Sequence, residues 1–144
     1  MEAQKHIKLL QQAYAGVLAD TACQFGQEGV FENVVQRKRQ EQLATGQIKA
    51  KQFGVETPEE VFTKLADVFG CANWQITSET DGFVAEASGC LLCALAKKMN
   101  APQPCELYCL DPMEGMIKGL NANAEFTVKE TLWDGKKCCV DVKY

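Results

Sequence analysis

The residues most able to do chemistry in this chain are cysteines. Four of its eight cysteines form two pairs, Cys90 with Cys93 and Cys105 with Cys109. Residues three or four positions apart lie on one face of a helix, so each pair would present two thiols on the same side. The run Asn100–Pro104 contains two prolines and separates the pairs, because proline interrupts a helix. The pattern therefore predicts two short helices that bring four sulfurs toward one place.

Such a set of thiols has two interpretations, a metal site and an apolar lining. Four soft ligands suffice for a tetrahedral zinc ion or an iron–sulfur cluster, and the candidate ligands are Cys90, Cys93, Cys105 and Cys109. The two leucines between Cys90 and Cys93 instead indicate an apolar helical face, where free cysteine packs as a small hydrophobic residue. Both interpretations stay open, and no other cofactor is indicated.

A catalytic role would fall to Cys109 and Asp111. The run Asp111-Pro-Met-Glu114 has the pattern of a helix start, with Asp as cap and Pro in the first turn. The positive end of that helix would favour a thiolate at Cys109, and Asp111 would either assist it or serve only as the cap. The single histidine, His6, stands between lysines and is expected at the surface.

A third possibility is ligand binding without chemistry. A sheet crossed by helices rich in sulfur-bearing side chains readily leaves a flexible pocket, unless those side chains fill the core completely. The candidate lining residues are Cys90, Cys93, Ala94, Met99, Cys105, Tyr108, Cys109, Met113, Met116 and Cys138.

The elements that position these residues begin with helices. Apolar residues at helical spacing predict a first helix that weakens at Gly26 and Gly29, and a second that ends before a connector at Gln47–Gly54. The clearest helix starts at Thr57-Pro-Glu-Glu60, a capping box, and stops at Gly70. The basic run Gln36–Arg39 is interpreted as a solvated helix face.

Two hairpins follow the period-two pattern. Asp81-Gly82 is the predicted turn of the first, and Asp134-Gly135 that of the second, whose first strand would place Leu132 with Phe126 and Val128. In the last strand Cys138 is expected to face the core with the valines. The order of helices, hairpin, helices and hairpin predicts an α+β fold, with N-terminal helices on an antiparallel sheet and the cysteine helices between the hairpins.

Composition limits the class of protein. The 144 residues are 47% hydrophobic and 24% charged, which predicts one domain over 1–144, with helices in 1–70 and the cysteine-rich part in 71–144. A net charge of −4 argues against a nucleic-acid partner. No membrane span or signal peptide is recognisable, so a cytoplasmic location without membrane partners is expected. The apolar stripes of the first helices would allow a homodimer.

The C-terminal half carries a family resemblance. Its motifs are Gly89-Cys90, then Cys105-x-x-x-Cys109-x-Asp111, Gly119-Leu-Asn121, and the closing Lys137–Val142. They resemble the L-2-amino-thiazoline-4-carboxylic acid hydrolase-like family and, more loosely, the small-molecule-binding domains named after 4-vinyl reductase.

The hydrolase resemblance implies the opening of a thiazoline ring. It places Cys90, Cys105, Cys109, Asp111 and Cys138 at the motif positions. The resemblance to the vinyl-reductase domains implies a helix-covered antiparallel sheet. Two hypotheses result, a small-molecule-binding domain with a thiol-lined pocket that could hold a metal, and a ring-opening hydrolase.

Overall fold

The computed structural model describes residues 2–144 and has an α+β fold, as predicted. Its helices in this range are α1 (Ala3–Gln27), α2 (Phe31–Gln52), α3 (Pro58–Phe69), α4 (Leu91–Lys98) and α5 (Asp111–Leu120), with a π-helical turn at Glu106–Leu110. Its strands are β1 (Gln75–Glu79), β2 (Gly82–Ala87), β3 (Glu125–Glu130) and β4 (Cys138–Lys143).

The four strands form one antiparallel sheet in the order β1-β2-β4-β3. Each outer strand pairs with its hairpin partner, and β2 pairs with β4 in the centre, where Ala85 lies opposite Val140. Cys138, Val140 and Val142 alternate with less buried residues and face the core, which confirms the predicted side of the last strand.

Local sequence signals set the position of α3. The Thr57 hydroxyl accepts a hydrogen bond from the Glu60 amide at 3.4 Å, and Gly70 ends the helix with φ of 64°. Phe62, fully buried on this helix, packs edge-on against Trp74 and Phe83. The predicted cap and stop of α3 are therefore confirmed. Aromatic contacts hold α3 against the sheet.

The predicted connector at Gln47–Gly54 is wrong, because α2 continues to Gln52. The buried face of this part of α2 consists of small residues, Gly46 and Ala50, and so it lacks the usual apolar periodicity. A Cβ atom on Gly46 would overlap the backbone of Gly115, and one on Gly115 would overlap the carbonyl of Gln42. The backbones of α2 and α5 thus touch directly, at a crossing that only glycine permits.

The helix α5 begins at Asp111, as predicted, but Asp111 is not its cap. Leu110 and Asp111 both have helical backbone angles, and the Asp111 amide donates to the Glu106 carbonyl, so the π-helical turn runs straight into α5. Pro112 has no amide hydrogen, and the wider turn that precedes it adapts the helix to the missing donor. Asp111 is therefore an internal helical residue, and its side chain makes no capping hydrogen bond.

The second hairpin has a longer connection than its sequence indicates. Residues 131–137 link β3 to β4 and contain Asp134 and Gly135, where a two-residue turn was predicted. A register shift after Val128 ends the regular pairing, and Leu132 lies in the connection, where its amide donates to the Cys138 sulfur at 3.3 Å. Leu132 therefore does not share a strand face with Phe126.

Candidate functional site

A cavity of about 490 Å³ opens between the N-terminal helices and the cysteine-bearing segment. Helices α1, α2 and α3 form one wall. The opposite wall includes five of the predicted site residues, Cys90, Tyr108, Cys109, Met113 and Met116. The volume lies in the range of small-molecule sites, and most of the lining is apolar.

A much smaller void, of about 20 Å³, lies behind this cavity. Its lining includes five thiols, those of Cys90, Cys93, Cys105, Cys109 and Cys138. Cys90 and Cys109 border both spaces, whereas the other three border only the void. The structure thus brings the predicted cysteines together, and places Cys93, Cys105 and Cys138 one layer deeper than the cavity wall.

Cys90 occupies the N-cap of α4, one position before the helix that was predicted to contain it. An antiparallel bridge to Ala72 holds its backbone, and the Leu91 amide donates to the Cys71 carbonyl at 2.8 Å. The Cys93 amide donates to the Cys90 sulfur at 3.5 Å. Cys90 is therefore fixed with its thiol at the positive end of α4, on the wall of the cavity.

This position lowers the pKa of Cys90 to about 6. The largest contribution is the hydrogen bond from the Cys93 side chain, and the amides of Cys93 and Leu92 add to it against the opposing effect of burial. Hydrogen bonds to the charged form favour that form. The lowered pKa of Cys90 favours the thiolate, which is the nucleophilic state of cysteine.

Cys109 does not have the properties expected of a nucleophile. Burial raises its pKa well above the ordinary value, and the neighbouring thiols of Cys90 and Cys105 act in the same direction. Its sulfur points to the Met113 sulfur at 3.6 Å. The helix N-terminus that was to stabilise a thiolate is absent here, because the chain is already helical before Asp111. The raised pKa and the missing helix N-terminus therefore give no support to a thiolate at Cys109.

The thiols do not converge as a coordination shell. Within residues 2–144, no group of three or more histidine, cysteine, aspartate or glutamate side chains is placed to hold a metal ion. Cys93 and Cys105 contact each other at 3.5 Å, and Cys109 turns to Met113, so these sulfurs pair locally. The geometry of the described residues gives no support to a zinc or iron–sulfur site on Cys90, Cys93, Cys105 and Cys109.

Asp111 lies outside the thiol-lined cavity, in a crevice of about 360 Å³ beside the outer strand β3. Arg39 donates from Nη1 to Asp111 at 2.7 Å and to Glu114 at 3.0 Å. Burial raises the pKa of Asp111 in spite of Arg39, and its Oδ2 atom is buried without a hydrogen-bond partner. Arg39, predicted to lie on a solvated face, is instead the counter-ion of two buried carboxylates.

The sequence analysis missed the polar residues that α2 contributes to the cavity. Lys38, Gln42 and Lys49 line it, and the Lys49 ammonium donates to the Gln42 side chain. Burial, with the nearby charge of Lys38, lowers the pKa of Lys49. Gln42 and Lys49 are seven residues apart, which places them on the same face of a helix two turns apart. This spacing could have indicated a shared polar site, but Gln47–Gly54 was predicted to be a connector and not part of a helix.

Together, these features define an α+β protein with a ligand-sized cavity that has a thiol of lowered pKa on one wall and lysines on another. The chain matches the family model of L-2-amino-thiazoline-4-carboxylic acid hydrolase over residues 4–142. It belongs to that family. The matched residues include the N-terminal helices, whereas the sequence motifs that resemble this family lie in the C-terminal half of the chain. No curated protein and no solved structure gives a significant match, and the looser resemblance to 4-vinyl reductase domains is not shown.

Proposed function

We propose that this protein opens the ring of a 2-amino-thiazoline-4-carboxylate by hydrolysis, with Cys90 as nucleophile. The observation that carries the proposal is the position of Cys90, whose thiol lies at the N-terminus of α4 on the wall of the 490 Å³ cavity and has a lowered pKa. Membership of a family that takes its name from this reaction supplies the substrate class.

The substrate presents one strongly electrophilic carbon. C2 of the ring is bonded to sulfur and to two nitrogens, and in the protonated amidine it carries much of the positive charge. The Cys90 sulfur bonds to C2, and the electron pair of the C2–N double bond moves onto nitrogen. This step needs no external acid, because it neutralises the cation. A thiolate near neutral pH is the group best suited to it.

Ring opening and hydrolysis complete the reaction. The bond from C2 to the ring sulfur or to the ring nitrogen breaks, and the released atom takes the electron pair and a proton from water. C2 remains attached to Cys90 as a thioimidate. A water molecule adds to C2, and the Cys90 thiolate leaves with its electron pair, which yields a carbamoyl product. One water is consumed in total, and the low pKa of Cys90 favours its departure.

Recognition of the substrate falls to the α2 wall. Lys38 and Lys49 supply positive charge for the ring carboxylate, and Gln42 supplies an amide for its polar edge. Partial desolvation strengthens such a charge pair relative to one in open water. The flexible thioether of Met116 and the aromatic rings in the cavity would pack against the faces of the ring.

A second candidate function is binding without turnover. It is favoured by the apolar part of the cavity lining, where Tyr108, Met113 and Met116 could hold a small molecule without chemistry. In that case Cys90 would be a contact residue and not a nucleophile. Asp111, in the separate crevice, assists in neither scheme and serves as the ion-pair partner of Arg39.

Incubation with L-2-amino-thiazoline-4-carboxylate, followed by liquid chromatography and mass spectrometry, tests the proposal. We expect a product heavier by one water, and its loss in Cys90→Ala. Cys139→Ala is the matched control, because that thiol lies on the outer face of β4, away from the cavity. Thermal stabilisation by the substrate without product would favour the binding function. Neither product nor stabilisation would overturn both functions for this ligand.

We also propose that the protein works as a homodimer in a reducing compartment such as the cytoplasm. Ile7, Leu10 and Val17 form an exposed apolar stripe on α1, with Leu10 70% exposed, and a second copy would cover it. The eight cysteines are all free, as expected where thiols stay reduced. Within residues 2–144, none of the helices combines the length and the apolar character needed to cross a bilayer.

A further inference from the structure

Three cysteines, Cys90, Cys93 and Cys105, lead from the cavity into the core. Cys90 borders the cavity and accepts the Cys93 amide at 3.5 Å. The Cys93 sulfur lies 3.5 Å from the Cys105 sulfur. Cys93 and Cys105 are both buried, so Cys90 is the one of the three cysteines that a small molecule in the cavity would meet first.

The pKa values of the three thiols are shifted in directions that suit stepwise exchange. Contact with the Cys93 side chain lowers the pKa of Cys90 and also that of Cys105. Because a thiol carries a single hydrogen, Cys93 donates to one of these two sulfurs at a time. The pKa of Cys93, which lies between them as the donor, is raised. A nucleophile of low pKa followed by a buried thiol three residues later, at the start of a helix, is the arrangement on which dithiol exchange depends.

We propose that Cys90, Cys93 and Cys105 form a thiol relay that is oxidised by small disulfides such as oxidised glutathione, and that its final state is a buried Cys93–Cys105 disulfide with Cys90 free. The relay is a chemistry separate from ring hydrolysis, and it does not require that the cavity accept a thiazoline.

The first two steps move the oxidation from the reagent to Cys90 and Cys93. The Cys90 thiolate attacks one sulfur of oxidised glutathione, which forms a mixed disulfide and releases one glutathione thiolate. Cys93 gives its proton to a released thiolate, and its sulfur attacks the sulfur of Cys90. A Cys90–Cys93 bond forms, and the second glutathione leaves as a thiolate. Two electrons have passed from the protein to the reagent.

The third step moves the disulfide inward. The Cys105 thiolate attacks the Cys93 sulfur, the Cys90–Cys93 bond breaks, and Cys90 leaves as a thiolate. Cys90 is the favoured leaving group because of its low pKa. The gap between the Cys93 and Cys105 sulfurs exceeds a disulfide bond length by about 1.5 Å, a distance that side-chain rotation can close. The resulting disulfide joins α4 to the start of the π-helical turn.

Peptide mapping of the full-length protein tests the relay. The reduced protein is exposed to oxidised glutathione, quenched with acid, alkylated and digested. In the wild type we expect a Cys93–Cys105 disulfide, with Cys90 alkylated and free of glutathione. Cys105→Ser should stop at Cys90–Cys93, and Cys93→Ser should retain glutathione on Cys90. Cys90→Ser should slow oxidation at least tenfold.

The controls separate the relay from unspecific oxidation and from unfolding. Cys139→Ser should give the wild-type map, and circular dichroism should show native helix content in each variant. If Cys93→Ser does not fold, the wild type and Cys105→Ser still decide the question. Glutathione that stays on Cys90 in the wild type, full alkylation of all three cysteines, or wild-type oxidation of Cys90→Ser would each overturn the proposal. Loss of hydrolysis would leave every one of these results unchanged.

Discussion

Replacement of Cys93 by alanine should raise the pKa of Cys90. The substitution removes the S–H donor that makes the largest contribution to the low pKa of Cys90, and it leaves the amides of Cys93 and Leu92 in place. Alanine is also a strong helix former, so α4 should persist. The change therefore isolates the effect of one hydrogen bond on the charge of one thiol.

The size of the shift follows from the energy of that bond. A hydrogen bond to a charged group contributes about 1.5–3 kcal/mol, and one pKa unit corresponds to about 1.4 kcal/mol. The pKa of Cys90 should rise from about 6 by about one to two units. At pH 6.5 the thiolate fraction would then fall from about three quarters to about a quarter or less.

The measurement is the rate of Cys90 alkylation as a function of pH, read from the Cys90 peptide by mass spectrometry. Because only the thiolate reacts, the rate falls as the pH drops through the pKa. Cys139→Ala should leave the midpoint near 6. The reasoning is refuted if wild-type Cys90 titrates near the ordinary thiol value of 9.0, or if Cys93→Ala does not move the midpoint.

The lowered pKa of Cys90 also makes the free energy of unfolding depend on pH. The folded state binds the Cys90 proton less tightly than the unfolded chain does, so the thiolate adds stability at alkaline pH. That contribution is complete above the ordinary value of 9.0 and is lost as the pH falls toward about 6.

Two further predictions concern the helices. Gly115→Ala should lower the free energy of unfolding by about 1–3 kcal/mol in urea titrations, because the new Cβ would overlap the Gln42 carbonyl on α2. Gly16→Ala, with open space around its Cβ on α1, should be neutral or stabilising; equal loss in both variants would contradict this account. Leu10→Glu should convert the proposed dimer to a monomer in sedimentation velocity, and a wild type that sediments as a monomer would refute the dimer.

The parts of the fold that the sequence predicts are those set by neighbours along the chain. Thr57 and Gly70 define α3 because capping and left-handed stops depend on a few adjacent residues. The core-facing side of Cys138 follows from strand alternation. These features need no knowledge of what packs against them, and each agrees with the structure.

The parts that the sequence does not predict depend on distant partners. The second half of α2 has no apolar stripe because Gly46 meets the backbone of α5, about seventy positions away in the chain. Asp111 has the local signature of a cap, but the helix before it removes that role and Arg39 supplies another. The lowered pKa of Cys90 depends on contacts made where α4 begins, whereas burial raises the pKa of Cys109.

The two walls of the cavity come from different parts of the chain. The lysines and Gln42 lie on α2, before residue 71, whereas Cys90 and the methionines follow it. On the function proposed above, substrate recognition and sulfur chemistry are therefore encoded in separate segments of the chain. Variation in the first segment could retune the choice of ligand while the sulfur chemistry stays intact. Libraries confined to the α2 positions are therefore a direct route to relatives with the same reaction and new substrates.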